Sequence, residues 1–236
     1  MSKVFRATPR RGAATAWSEA RKARTIGTLR RRTPEGVRQE IIQVARKYVS
    51  KHGFRDLTVE KLMRDTRLGR SAFYAYFKDV YELAEIFIHE LAEEVERGGS
   101  DWFEHDGNTI ERIRSSLRSV IGFWTVNGPL ISALELAALQ DERLQRIWSD
   151  KIALGPIRRV EEAIRRDQAA GLIDSLDPHE MSIALNRFNL AYLNLCFGSG
   201  RLTNVERVLA TMERVWIGSL YSHVLTSKAR EQGKKG

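Results

Sequence analysis

Apolar residues recur at helical spacing in block after block along this chain, and each block is closed by Gly, Pro or Asp-rich breaks. The first clear block opens with Thr33, Pro34 and Glu35, which read as an N-cap, a proline at the first helical position and an acid in the first turn. Val37, Ile41, Val44, Ala45 and Tyr48 then share one face, and Gly53 supplies the stop. The same reasoning predicts further helices over residues 58–66, 70–77, 80–97, 108–126, 129–139, 141–170, 178–197 and 203–226. Gly155-Pro156 is expected to kink or split the longest of them. No segment shows the period-2 alternation of a strand and no internal repeat is visible, so the pattern predicts an all-α fold.

Residues 1–33 break this pattern, mixing Arg, Ala, Thr and Gly with few large apolar side chains, and such a stretch cannot repay the entropy of folding. It is expected to be a disordered arm, with a short helix near Trp17 to Arg24 as the alternative for part of it. The lysine-rich end, residues 227–236, is expected to fray. Charge sharpens the division. The net charge is +9 from 39 basic and 30 acidic residues, yet the arm holds ten Lys/Arg against Glu19 alone. Residues 34–79 hold ten basic and six acidic residues, which leaves 19 and 23 for residues 80–236. Basicity is therefore confined to the N-terminal third, as in a polyanion-binding segment. A solvated tail has the same composition; the position of the arm beside the motif below favours DNA.

That motif is a pair of short helices. Thr58 can cap the first, whose Val59, Leu62 and Met63 face inward, and Arg67-Leu68-Gly69 forms a three-residue break before the second. Phe73 and Phe77, four apart, can plug a small core together with Leu68. Arg70, Ser71 and Tyr74 then point outward at the N-terminal end of the second helix, where base edges are reached. Arginine there can pair bidentately with guanine, and a tyrosine hydroxyl can donate to phosphate.

The strings Thr58-Val59-Glu60-Lys61-Leu62, Leu68-Gly69-Arg70-Ser71-Ala72-Phe73-Tyr74-Ala75-Tyr76-Phe77-Lys78-Asp79 and Glu82-Leu83 resemble the DNA-binding domain of the TetR family of transcriptional regulators. The resemblance spans residues 34–226, with its specific motifs in the first quarter. It implies an N-terminal three-helix helix-turn-helix domain (34–79) and a larger helical ligand-binding and dimerisation domain (80–226). The partners it implies are double-stranded DNA, a small-molecule effector and a second copy of the chain. Thr58, Tyr76 and Lys78 join Arg70, Ser71 and Tyr74 as candidate DNA contacts. Two departures stand out. Arg67 and Gly69 occupy positions where the family usually has Gly in the turn and Ser as cap, so the cap is expected from the backbone or from Ser71. Val80 replaces a common lysine, and Lys78 is the substitute for its phosphate contact.

Within that family, residues 80–226 resemble the mycobacterial ethionamide-resistance repressors on Phe123, Trp148, Asn186-x-x-Asn189 and Val215-Trp216, which implies an aromatic-lined pocket. Between Ile183 and Phe197 the only charge is Arg187, so this helix is expected to be buried on most sides and its amides to need partners. Asn186 and Asn189 share a face. They can orient a ligand, or bond each other or nearby backbone. Phe123, Trp124, Trp148, Tyr192 and Trp216 complete the candidate ligand set, with plain core as their alternative role. Val205, Val208, Leu209, Met212, Val215, Trp216 and Leu220 give the last helix more apolar surface than one core needs, which predicts that it forms a two-fold four-helix interface together with the preceding buried helix.

Other classes find little support. His89-Glu90 begins like a zinc helix, but Glu93 stands where the second histidine belongs. There is no Gly-rich phosphate loop and no nucleophile elbow, so no catalytic residue, metal or cofactor is expected. The single cysteine, Cys196, lies in an apolar run and excludes an internal disulfide. No stretch approaches about 18 uncharged apolar residues and the arm lacks a signal-peptide core, so no membrane partner is expected and the cytoplasm is the expected location. The sequence therefore predicts a sequence-specific, ligand-released repressor of a palindromic operator. The competing reading is an architectural protein that coats DNA without sequence preference.

Overall fold

The computed structural model describes residues 33–66, 68–98, 108–173, 175–200 and 203–221, and among them every regular element is helical. The arm, with its alternative helix near Trp17, and the C-terminal tail lie outside the described residues. Helix α1 (Pro34–His52) starts as expected, with Thr33 Oγ1 accepting from the Gly36 N–H at 3.1 Å. It stops at Gly53, whose φ of 78° is a conformation that L side chains rarely adopt. Helices α2 (Val59–Arg64) and α3 (Arg70–Tyr74) pack on α1 through Ile41, Ala45, Leu62, Phe73 and Phe77, all buried. Helix α3 is shorter than the predicted 70–77, because the chain after Tyr74 turns to seat Phe77 in that core.

Helix α4 (Val80–Gly98) belongs to both halves. Its Leu83 and Phe87 join the small core with α1, and its Leu91 and Ala92 enter the larger one. The larger bundle comprises α5 (Thr109–Ala138), α6 (Glu142–Trp148), a π-helical segment (Ser149–Leu154), α7 (Gly155–Ala169), α8 (Pro178–Phe197) and α9 (Val205–Leu220). Helix α5 is central and packs against α1, α4, α6, α8 and α9. At the far end the buried Tyr221 hydroxyl donates to Asp167 Oδ2 at 2.5 Å and ties the end of α9 to α7.

Beyond α3, two predicted elements differ. The pattern divided α5 at Pro129, but the helix runs through it. An interior proline costs roughly 3 kcal/mol. Phe123, Trp124, Leu130, Ile131 and Leu134 are all buried on its flanks, each contributing roughly 1.5–3 kcal/mol, so continuity wins. Thr125, whose carbonyl loses its helical donor, is exposed to water. Undivided, α5 becomes a helix long and apolar enough to cross a membrane, with a mean hydropathy of 1.3 over 18 residues, a stretch the split reading had missed. Here 56% of that window is buried among the other helices, so α5 is the core helix of the bundle. The predicted 141–170 helix does split at Gly155-Pro156, and the split takes the form of the π-helical turn just before it.

The other difference is α8. Of its residues only Ser182, Leu185, Leu193 and Phe197 are buried, while Ala184, Ala191 and Leu195 face out and Leu195 is 79% exposed. One chain covers just one side of this apolar helix. The excess apolar surface lies here more than on α9, whose Val208, Leu209, Met212, Trp216 and Leu220 are consumed by its own core.

Candidate functional site

The helix pair is held by local hydrogen bonds that the sequence only partly announces. Thr58 Oγ1 caps α2 by accepting from the Lys61 N–H at 3.2 Å, and Lys61 Nζ reaches the Asp56 carbonyl at 2.9 Å. Thr66, 2% exposed, was missed by sequence reasoning. Its hydroxyl donates to the Met63 carbonyl at 2.9 Å and accepts from the Leu68 N–H at 3.2 Å, fixing the turn into α3. The available signal was a threonine inside a turn, which bonds its own backbone. Gly69 occupies the N-cap of α3 without any side-chain bond, so Ser71 does not serve as the cap.

Phe73 and Phe77 lie buried with ring centroids 5.4 Å apart, and this anchor turns the opposite face of α3 to solvent. Arg70 and Ser71 are exposed, and their side chains bond to nothing among the described residues. Tyr74 is 54% exposed, with only its ring edge against Phe73. Lys78 is exposed too, beside the start of α4. There Glu82 N–H donates to Asp79 Oδ1 at 3.0 Å and Lys78 N–H donates to Glu82 Oε2 at 2.8 Å, a reciprocal cap. Tyr76 sits apart, half-buried against the core beside Phe77.

A cavity of about 180 Å³ lies in the larger bundle. Its apolar wall comes from α4 (Leu91, Val95), α5 (Ile113, Val120), the π segment (Ile152) and α7 (Pro156). Phe123, Trp124, Asn186, Asn189 and Trp216 all line it, so five of the seven predicted ligand residues are brought together. Trp148 and Tyr192 are not among its lining residues. Trp148 is buried in the core, and Tyr192 stacks on Phe188 at 5.3 Å along the open side of α8. Asn186 Nδ2 donates to the Ser182 carbonyl at 2.8 Å, and Asn189 Oδ1 accepts from Trp216 Nε1 at 2.8 Å. Each amide is thus half used by the protein. The other halves, Asn186 Oδ1 and Asn189 Nδ2, have no protein partner among the described residues.

The two regions are joined by ion pairs across α4. Arg46 of α1 pairs with Glu90 and lies over the Phe87 ring at 5.1 Å. Arg143, in the first turn of α6, holds Glu85 at 2.6 Å and Asp79 at 3.5 Å, and α6 runs directly into the π segment that walls the cavity. On the outer surface Glu161 is held below its ordinary range by the hydrogen bond from Arg165, then by that from His179. The His179 imidazole is raised chiefly by its 2.9 Å bond to Glu161. No cluster of three metal-ligating side chains occurs among the described residues.

No family model matches the chain and no curated protein matches it by sequence. Solved structures do. The fatty acid degradation regulator FadR from Bacillus halodurans superposes with a TM-score of 0.65 at 13% identity, covering 80% of this chain and 97% of its own. A bacterial regulatory protein of the TetR family from Rhodococcus RHA1 gives 0.63 at 13% identity, covering 76% and 94%. AibR, solved in complex with isovaleryl coenzyme A and operator DNA, gives 0.59 at 21% identity, covering 76% and 97%. The chain therefore has the fold of these all-helical regulators, with an N-terminal helix-turn-helix and a helical C-terminal domain.

Proposed function

We propose that this chain is a TetR-type transcriptional regulator that binds a palindromic operator as a dimer and is released by a small, largely apolar effector. One observation carries the reading: a helix-turn-helix with Arg70, Ser71 and Tyr74 exposed on its open face shares helix α4 with an aromatic-lined cavity. Arg70 reads base edges while Ser71, Tyr74 and Lys78 hold phosphates, and Thr58 and Tyr76 position the pair. AibR supports this reading, since the same fold there carries a small molecule and DNA.

Dimerisation is supported by the open side of α8. Ala184, Phe188, Ala191 and Leu195 fall on one stripe, an apolar surface that a second copy would bury by two-fold symmetry. The cavity bounds the effector. A site of about 150 Å³ takes a benzene-sized molecule, so this cavity of about 180 Å³ takes one slightly larger. It buries apolar bulk against Phe123 and Trp124 and is oriented by the free halves of Asn186 and Asn189. Coupling follows from geometry. An effector that prefers a different setting of the π segment shifts α6, and through Arg143 it shifts α4 and the recognition helix. A full switch needs roughly 10⁴-fold discrimination between the two settings.

The test is to select DNA on the purified protein, sequence it, and footprint the selected site above physiological salt. Protection of one two-fold-symmetric site by a dimer supports the reading. Uniform protection that vanishes as salt rises favours the second reading, DNA coating by the basic arm, which the charge of residues 1–33 motivates.

A further inference from the structure

Four charged side chains reach the wall of the cavity: Glu94, Glu96, Lys151 and Arg159. Three are accounted for. Lys151 Nζ pairs with Asp150 at 3.2 Å, Arg159 Nη1 donates to the Glu96 carbonyl at 3.1 Å, and the Glu96 side chain is in water. Glu94 is different. It is half-buried, has no ion-pair partner among the described residues, and accepts one hydrogen bond, from Asn127 Nδ2 at 3.2 Å. A neutral amide replaces only part of the hydration that a carboxylate loses on burial.

Asn127 is itself buried and lies one helical turn from Phe123 and Trp124 on α5. The glutamate that it holds lines the same cavity as these two aromatic residues. Aromatic faces attract cations, and a carboxylate beside them adds a full opposite charge. An anionic effector would meet Glu94 unfavourably, and a neutral one would leave it as it is. We infer that the effector is a protonated amine of aromatic or aliphatic bulk, its nitrogen held by Glu94 and its apolar part against Phe123 and Trp124. This rests on the effector-binding reading above and narrows it to a chemical class.

The test uses three probes that share a phenyl ring on a two-carbon tether, on the full-length protein at neutral pH: 2-phenylethylamine, 2-phenylethanol and 3-phenylpropionate, measured by calorimetry and thermal shift. The amine is expected to bind about tenfold or more tighter than the alcohol, and the propionate weaker than both. This order tests the proposal without any variant. Glu94→Gln keeps an acceptor for Asn127 and should bring the amine within about threefold of the alcohol. Equal binding of amine and alcohol, or tighter binding of the propionate, overturns the cationic assignment while leaving a neutral effector site standing. An amine preference that survives Glu94→Gln overturns the role of Glu94. If no probe of any charge binds, the cationic assignment and the effector site it rests on both fall, while the operator-binding reading stands or falls by its own footprint.

Discussion

Gly128→Ala measures a tight crossing between α5 and α8. A methyl group at Gly128 would lie 2.6 Å from the Phe197 carbonyl oxygen and 2.8 Å from its carbonyl carbon and Cβ. Carbon contacts are optimal at about 3.5–4.0 Å, so α5 and α8 must part by several tenths of an ångström or more, and two of the opposing atoms are backbone. Overpacking of this kind costs roughly 1–3 kcal/mol, against a helix-propensity gain of roughly 1 kcal/mol from replacing glycine. The net expectation is a loss of up to about 2 kcal/mol, equivalent to a drop in Tm of up to roughly 8 °C for a chain of this size. Gly218→Ala is the control: nothing lies within 4 Å of the added carbon, so only the propensity gain of up to about 1 kcal/mol remains. Urea and thermal unfolding followed by circular dichroism, at fixed protein concentration, give both differences. Because α8 carries Asn186 and Asn189, probe affinity should fall in the Gly128 variant as well. A Gly128→Ala protein stabilised as much as Gly218→Ala would mean that the α5–α8 crossing is looser than described.

Arg70→Ala and Tyr74→Phe should each weaken binding to the selected operator by about 1–3 kcal/mol without lowering Tm, and Arg70→Ala should also relax base preference; operator titrations with single-base variants check both. Arg143→Ala removes a half-exposed pair, so stability should change by less than about 1 kcal/mol. It should nevertheless blunt effector-induced release of DNA, read as the ratio of operator affinities with and without effector. The His179–Glu161 bond gives a pH signature. The imidazole is raised above its usual 6.5, so its contribution is complete below that value and is lost as pH rises through the raised one. Glu161 is lowered, so its contribution is present above the usual carboxylate value and lost as pH falls through the lowered one. Urea midpoints of wild type and His179→Gln should therefore differ most at mildly acidic pH and converge as pH rises.

Much of this was legible because the informative features are local. Thr33 and Thr58 cap the helices they were expected to cap, and Phe73 with Phe77 fixes which face of α3 is open, since capping and four-residue spacing need only a short stretch of chain. What failed depends on contacts between distant segments. Pro129 reads as a breaker in isolation, yet the buried side chains on both of its flanks outweigh it. Trp148 and Tyr192 have the right chemistry for a pocket wall, but which face of a helix meets a cavity is decided by its neighbours. Asn186 and Asn189 fall between these cases: the sequence put them on one face, and the fold divides each amide between a protein partner and the cavity.

The same division explains why α4 matters more than its sequence suggests. Its charged residues, read alone, are a solvated helix face. In the fold they become connections: Glu90 to α1 through Arg46, Glu85 to α6 through Arg143, and Glu94 to the cavity wall. Asp79, which caps α4, is also the second partner of Arg143 and directly follows the exposed Lys78. A change at the cavity therefore need not cross the packed core to reach the start of α4 beside α3. The route through the π segment is short, and it runs through a helical turn with Pro156 at its exit, where the backbone ladder is already interrupted and reshaping costs least. On this argument the effector acts by choosing between two settings of a segment that the sequence has weakened. Substitutions that restore a regular helix across Gly155-Pro156 should leave the operator bound whether or not the effector is present.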